Sequence, residues 1–266
     1  MYFDGTPALL SEQQLLAWVE GASRAIAAYY GTFPVAKAVV TIHGGGRGRI
    51  SSGRTVGVRG VGRIAISVGD AATPADLGTN WELVHEMVHL AFPSMTDAAW
   101  IEEGLATYVE PIVRARARLA SEEDIWKWLV WGLPRGQDAI AGTGLDGARS
   151  WGATYWGGAL YCFEADLAIR QRTGGRRSLD DALRGIVRAG GNVTVEWTLE
   201  KALAAGDRAT GVPVLEELYA RMRRPFPAFD LDATFQQLGI AGVEAGVAPE
   251  AGAPLASVRK GIATGR

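Results

Sequence analysis

The 266-residue chain has a single cysteine, Cys162, only three histidines, and no apolar run close to the length of a membrane-spanning helix. One cysteine cannot form an intramolecular disulfide. A helix that crosses a bilayer needs about 20 mostly apolar residues, so we expect no integral membrane segment. The formal net charge is only −2, which excludes the basic field that favours nucleic acid or an anionic membrane. We therefore expect no nucleic-acid partner.

The composition itself is ordinary for a soluble globular protein, with 48% apolar and 21% charged residues. At this length we expect one large domain, or two lobes that each contribute to a core. The N-terminus, Met1–Asp4, lacks the basic and apolar regions of a signal peptide, so none is expected in this chain. These features leave the compartment undetermined.

Two of the three histidines stand four residues apart, in the segment His85-Glu86-Met87-Val88-His89. On a helix this spacing places both imidazoles on one face, one turn apart, where they can bind a single metal ion. Glu86 lies beside them and can accept a proton from a metal-bound water. Apolar residues surround the motif on nearly every side, which predicts a buried helix. The pattern predicts a zinc site with Glu86 as the general base.

The order of predicted elements, strands first and helices second, is typical of an α+β fold. Strands are predicted over 34–43 and 63–68, around a glycine- and arginine-rich stretch (44–62) that either forms a twisted hairpin or stays mobile. The rest is predicted to be helical, with a kink or break at Pro111 and another break at 132–134. We expect a single domain, 1–266, with a β-rich lobe (1–92) ending in the metal-site helix, a helical lobe (96–240) and a Gly/Ala-rich tail (241–266).

A catalytic zinc ion normally has three protein ligands and keeps one position for water, so two histidines are not enough. The remaining histidine, His43, and the carboxylates downstream of the motif are the candidates. The segment 100–106, which contains Glu102 and Glu103, follows at a distance that lets a second helix return alongside the first. Residue types alone leave these two glutamates as alternatives.

The pairing of His-Glu-x-x-His with a later Trp-x-x-Glu-Gly-x-Ala resembles the gluzincin metallopeptidases, in which the Glu of the second motif is the third zinc ligand. Matching the Glu-Gly pair gives the ligand role to Glu103 and leaves Glu102 as its neighbour. The resemblance implies a thermolysin-like arrangement of two lobes. An N-terminal mixed β-sheet lobe would carry the metal helix, and the C-terminal lobe would be all-helical.

A further stretch is similar to the glycyl aminopeptidase family, many of whose members carry a PDZ domain. It comprises Tyr155-Trp156-Gly157-Gly158, the following helix, Arg172-Thr173-Gly174-Gly175 and Ser178-Leu179-Asp180-Asp181. In that family a tyrosine before a Lys-Gly pair hydrogen-bonds the tetrahedral intermediate, which implies this role for Tyr155. The similarity covers residues 81–181.

Two departures from the family pattern bear on specificity. Gly157 stands where the family has lysine, and the strand before the metal helix lacks the glutamate with which gluzincin aminopeptidases hold a free amino group. The corresponding stretch, 52–60, carries arginines instead, and arginine cannot pair with an ammonium group. Arg54 or Arg59 can face a substrate carboxylate, or both are solvated loop residues. The aminopeptidase specificity is therefore not carried over to this chain.

The sequence thus predicts zinc-dependent hydrolysis of peptide bonds in a peptide or protein substrate. The predicted site consists of the metal ligands His85, His89 and Glu103, the general base Glu86 and the oxyanion donor Tyr155. The alternative is a catalytically degenerate relative that acts as a peptide-binding or scaffold module, because the amine anchor and the lysine are missing. A purely structural metal site fits poorly, since such sites close their coordination with cysteine or a fourth ligand.

Overall fold

The structure is a computed structural model that describes residues 1–265, and it has an α+β fold with a small mixed sheet and many helices. Within these residues, no helix has both the length and the apolar content needed to span a bilayer. The strands are β1 (Tyr2–Asp4), β2 (Ala38–Gly44), β3 (Ile50–Val58) and β4 (Val61–Val68). The helices are α1 (Glu12–Tyr30), α2 (Pro74–Thr79), α3 (Glu82–His89), α4 (Ala99–Arg116), α5 (Glu122–Ile140), α6 (Gly158–Thr173), α7 (Leu179–Arg188), α8 (Leu199–Thr210), α9 (Val214–Met222), α10 (Leu231–Leu238) and α11 (Ala256–Thr264), with a π-helical segment at Gly152–Gly157 and 3-10 turns at Leu145–Gly147 and Val243–Ala245.

The four strands form one sheet in the order β1-β2-β4-β3. β1 pairs parallel with β2 and β2 parallel with β4, whereas β3 pairs antiparallel with β4 at the edge of the sheet. Most of the glycine- and arginine-rich stretch 44–62 therefore forms β3 and its turn into β4, which agrees with the hairpin alternative. The strand predicted from residue 34 begins only at Ala38.

Two helices continue through a proline at which the sequence predicts an interruption. α5 contains Pro134, so the break predicted at 132–134 does not occur, and α4 contains Pro111, so of the predicted kink or break at Pro111 the break does not occur. A proline inside a helix costs about 3 kcal/mol, because it removes one hydrogen bond and crowds the preceding turn. Val109 and Ile112 on α4, like Leu133 on α5, are almost fully buried. Tertiary packing of the apolar face offsets the local cost.

The helix with the two histidines, α3, lies in the interior and packs against α1, α4 and β3. The side-chain oxygen of Asn80 accepts a hydrogen bond from the Leu83 N–H at 3.2 Å, which satisfies one of the free donors of the first turn. The helix ends at His89, before Pro93. Its apolar side chains are buried, as predicted, and comprise Leu83, Val84, Met87 and Val88. This burial fixes the position of α3 between the sheet and its neighbouring helices.

Candidate metal centre

α3 and α4 bring three metal-binding side chains together. His85 and His89 lie one turn apart on α3, with ring centroids 5.0 Å apart. Glu103 Oε2 on α4 lies 3.3 Å from His85 Nε2 and 3.5 Å from His89 Nε2. The three ligand atoms are all within 4.8 Å of one another, and no other such group occurs among residues 1–265.

These distances fit a zinc ion. Tetrahedral bonds of about 2.0–2.1 Å place neighbouring ligand atoms about 3.3 Å apart, and the two measured nitrogen–oxygen distances are close to that separation. Two imidazoles and one carboxylate form the donor set of several catalytic zinc sites, which keep a fourth position for water or substrate. The residues present therefore suit zinc of the catalytic type.

The charges of the site also suit a cation. Burial lowers the pKa of His85, which favours the neutral imidazole that binds metal. For Glu103, burial acts to raise the pKa, but the hydrogen bonds and charges of the two histidines outweigh it and hold the pKa well below its usual range. Burial acts to lower the pKa of His89, but Glu103 and then Glu86 raise it overall. The converging carboxylates therefore create a negative potential that attracts a divalent ion.

Two glycines allow the backbone that carries Glu103 to contact the backbone that follows Tyr155. A Cβ at Gly104 would lie 2.3 Å from the Gly158 carbonyl carbon, and a Cβ at Gly158 would lie 2.0 Å from the Trp100 carbonyl oxygen. Only residues without a side chain permit this crossing of α4 and α6. The crossing determines where Tyr155 lies relative to Glu103.

Tyr155 lies in the π-helical segment before α6, a type of irregularity that is frequent at functional sites. Its ring stacks on the His85 imidazole, with centroids 6.0 Å apart and planes 9° from parallel. Burial, followed by the negative charges of Glu103 and Glu86, raises the pKa of Tyr155 far above its ordinary value. The hydroxyl therefore keeps its proton and remains a hydrogen-bond donor.

A side chain at Gly157, where the glycyl aminopeptidase pattern has lysine, would crowd a neighbouring residue. Gly157 is buried, and a Cβ added to it would lie 2.5 Å from Ile140 Cγ2 on α5. A side chain at this position therefore requires Ile140 on α5 to shift.

One cavity of about 440 Å³ connects the elements of the site. Glu86, His89, Glu103 and Tyr155 line it, and β3 lines it with the five residues Gly53–Gly57. Within residues 1–265, β4 is the sole strand paired with β3, so the other edge of β3 is free of strands. A free strand edge offers backbone N–H and C=O groups to an extended peptide.

The other predicted candidates divide into those that line the cavity and those that do not. Arg54 lines it, whereas Arg59, in the left-handed conformation (φ 50°) at the turn into β4, does not. His43 does not line it either; its Nδ1 lies 3.0 Å from Asp4 Oδ2 at the end of β2. Glu102 lines the cavity next to Glu103, and burial raises its pKa to about 7.

Sequence analysis missed two residues that contact Glu86. The Thr55 hydroxyl lies 2.7 Å from Glu86 Oε2, and Gly53 lies against the same carboxylate. The alternation of small residues at 53, 55 and 57 could have identified them in the sequence, because alternate residues of a strand lie on one face.

No protein-family model and no curated protein matches the chain. Two solved structures have a similar fold. An aminopeptidase N family protein from Idiomarina loihiensis has a TM-score of 0.65 at 14% sequence identity, over 89% of this chain and 46% of its own. An M1 zinc metallopeptidase from Deinococcus radiodurans, solved as a point mutant, has a TM-score of 0.51 at 15% identity, over 85% of this chain and 48% of its own. The chain thus spans about half the length of either protein, and the likeness shows that its fold is similar to part of theirs.

Proposed function

We propose that this protein is a zinc-dependent peptidase that hydrolyses peptide bonds in a peptide or protein substrate. One observation carries the proposal. Three side chains with the donor set and spacing of a catalytic zinc site converge beside a glutamate and a tyrosine, and two of the three line a cavity bordered by a free strand edge. The similarity in fold to an M1 zinc metallopeptidase supports it.

In this proposal each residue has one role. His85, His89 and Glu103 hold the ion. Zinc bound there lowers the pKa of a water molecule and polarises the scissile carbonyl. Glu86 accepts the proton of the attacking water and passes it to the leaving amine. The Tyr155 hydroxyl donates a hydrogen bond to the carbonyl oxygen as negative charge develops on it, so this contact strengthens in the transition state.

The substrate is proposed to bind as an extended strand along the free edge of β3. This mode uses backbone hydrogen bonds for affinity and side-chain subsites for specificity. Arg54 is the arginine of the predicted pair that lines the cavity, and it can contact a substrate carboxylate. No acid on β3 is available to hold a substrate amino group, so the proposal includes no aminopeptidase specificity.

The finer assignments belong to the same proposal. We propose a gluzincin related to the glycyl aminopeptidases, with thermolysin-like lobes on either side of the cavity. The β-rich lobe would comprise residues 1–92 and the helical lobe residues 96–240, within one catalytic domain.

The proposal is tested with purified protein, zinc analysis and a mixed peptide library. We expect about one zinc ion per chain, cleavage of the library, loss of cleavage on chelation and recovery when zinc is restored. Zinc without cleavage would support the peptide-binding or scaffold alternative instead. Absence of zinc would contradict both.

Tyr155→Phe tests the oxyanion role. The change removes one hydroxyl and keeps the ring that stacks on His85. We expect kcat to fall by about 100- to 1,000-fold, with zinc content unchanged, because that is the usual effect of losing an oxyanion donor. Tyr219→Phe is the matched control, since its hydroxyl bonds Asp146 at 2.7 Å and Tyr219 does not line the cavity. Equal kcat in the two variants would remove Tyr155 from the mechanism.

A further inference from the structure

β3 borders both oxygens of the Glu86 carboxylate. The Thr55 hydroxyl lies 2.7 Å from Oε2. A Cβ added at Gly53 would lie 2.6 Å from Oε1, 2.7 Å from Cδ and 2.4 Å from Cγ. Thr55 therefore lies within hydrogen-bond distance of the carboxylate, and the Gly53 backbone approaches the carboxylate more closely than a residue with a Cβ could.

A β-bulge brings these two residues to the face that meets α3. The pairing of β3 with β4 shifts by one residue between Ser51 and Gly53, and Ser52 adopts the left-handed conformation (φ 44°). After the bulge, Gly53 and Thr55 pair with Ile66 and Ile64 of β4, which are both buried in the core.

A strand without the bulge would present the opposite set of residues. Paired residues of antiparallel strands point to the same face, and a one-residue slip exchanges the faces. In regular pairing Ser52 and Arg54 would occupy the places opposite Ile66 and Ile64. The arginine would then face the metal helix. Bulges often re-aim side chains next to active sites in this way.

Thr55 also lies at an irregularity of α3. The Leu90 N–H, which a regular helix would aim at the Glu86 carbonyl, donates instead to the Met87 carbonyl at 3.2 Å. The Thr55 hydroxyl lies 2.8 Å from that Glu86 carbonyl oxygen and 2.7 Å from Oε2 of the same residue. It has a single proton to donate. Thr55 therefore contacts both the backbone and the carboxylate of Glu86.

From this geometry we propose that Gly53 and Thr55 are positioning residues, which hold the Glu86 carboxylate in one orientation within the cavity. The proposal rests on the proposed function, in which Glu86 transfers the proton. A glutamate side chain has three rotatable bonds, and a hydrogen bond to its charged group together with a steric wall restricts them. A catalytic group misplaced by about 1 Å can cost about 100-fold in rate. The bulge at Ser52 makes this support possible, because it selects which residues face Glu86.

Thr55→Val, Thr55→Ser and Gly53→Ala test the proposal on the library peptide that the wild type cleaves fastest. We expect Thr55→Val and Gly53→Ala to lower kcat by about 10- to 100-fold, with KM within about threefold and zinc content unchanged. Thr55→Ser keeps the hydroxyl, so its kcat should stay within about threefold of wild type. Thr41→Val on β2, the same change in the same sheet, is the control. Wild-type kcat in Thr55→Val would overturn the proposal.

A double-mutant cycle with Glu86→Gln separates positioning from a purely structural effect. If Thr55 acts through the carboxylate, Thr55→Val should change the residual rate of Glu86→Gln by less than about twofold. If Thr55→Val lowered the residual rate of Glu86→Gln by the same factor as it lowers the wild-type rate, Thr55 would have only a structural role and the proposal would be overturned. The cycle also distinguishes failure of the proposed function from failure of the positioning role. Full activity in Glu86→Gln would contradict the proposed function, whereas a loss in Glu86→Gln without one in Thr55→Val would contradict only the positioning role.

A measurement independent of turnover completes the test. Crystal structures of the zinc-loaded wild type and Thr55→Val should differ in the side-chain torsions of Glu86, while the His85 and His89 side chains coincide. An unchanged, well-ordered Glu86 in the variant would overturn the positioning role even if the protein cleaved no peptide.

Discussion

Replacing Glu86 with glutamine is expected to lower kcat by at least about 100-fold while the protein still binds zinc. Glutamine has nearly the same shape and still accepts a hydrogen bond from Thr55, but its neutral amide cannot take up a proton at ordinary pH. General-base catalysis contributes about 10²- to 10⁴-fold to rate, and the loss should be of that size. Because Glu86 is not one of the three converging ligands, zinc content should match the wild type.

Glu82→Gln is the matched control for this variant. Glu82 lies one turn earlier on α3, is partly buried and does not line the cavity. Its variant should keep activity within a few-fold of wild type. Steady-state kinetics on one library peptide and zinc analysis by mass spectrometry suffice for the comparison. Retained turnover in Glu86→Gln, or equal losses in both variants, would refute Glu86 as the base.

Removing the Glu103 carboxylate is expected to release the metal. The Glu103→Ala variant leaves two imidazoles, fewer than the three protein ligands of a catalytic zinc site. Loss of an outer hydrogen-bond partner typically weakens metal binding by about 10- to 100-fold, and loss of a ligand should weaken it more. We therefore expect zinc affinity to fall by more than about 100-fold, as measured by competition with a chromogenic chelator. Peptide cleavage should fall in parallel at limiting zinc.

Glu102→Ala provides the comparison, because it removes the adjacent carboxylate from the same helix and the same cavity. Its zinc affinity should stay within about tenfold of wild type, since Glu103 Oε2 is the carboxylate oxygen measured 3.3 Å from His85 Nε2 and 3.5 Å from His89 Nε2. If Glu102→Ala lost zinc and Glu103→Ala kept it, the assignment of the third ligand would be wrong.

Some of the fold was predictable from residue patterns. The α+β class, the buried helix with the two histidines and the strand at 63–68 follow from hydrophobic periodicity, which depends on neighbours in sequence. The break expected at 132–134 does not occur, and α4 continues through Pro111 without a break, because the packing of α4 and α5 outweighs the local effect of proline. Local signals therefore identify these helices and misjudge their continuity.

The site likewise has parts that local sequence predicts and parts that depend on tertiary packing. The approach of His85 and His89 follows from helix geometry alone, since residues four apart lie on one face. Glu102 and Glu103 are adjacent, so they point about 100° apart around α4, and the rotation of α4 against α3 determines which one reaches the histidines. The position of Tyr155 against His85 depends on the contact of Gly104 with Gly158, 54 residues later in the chain.

Spacing and residue chemistry thus predict a helix with two candidate metal ligands and lead to the hydrolytic reaction proposed for this protein. The family resemblance selected Glu103 over Glu102, whereas the stacking of Tyr155 on His85 and the contact of Thr55 with Glu86 required the packed structure. The physical reason is that helical and strand periodicities act over a few residues. Relative rotations of helices and a one-residue bulge in β3 are set by contacts between distant parts of the chain, and they decide which side chains enter the cavity.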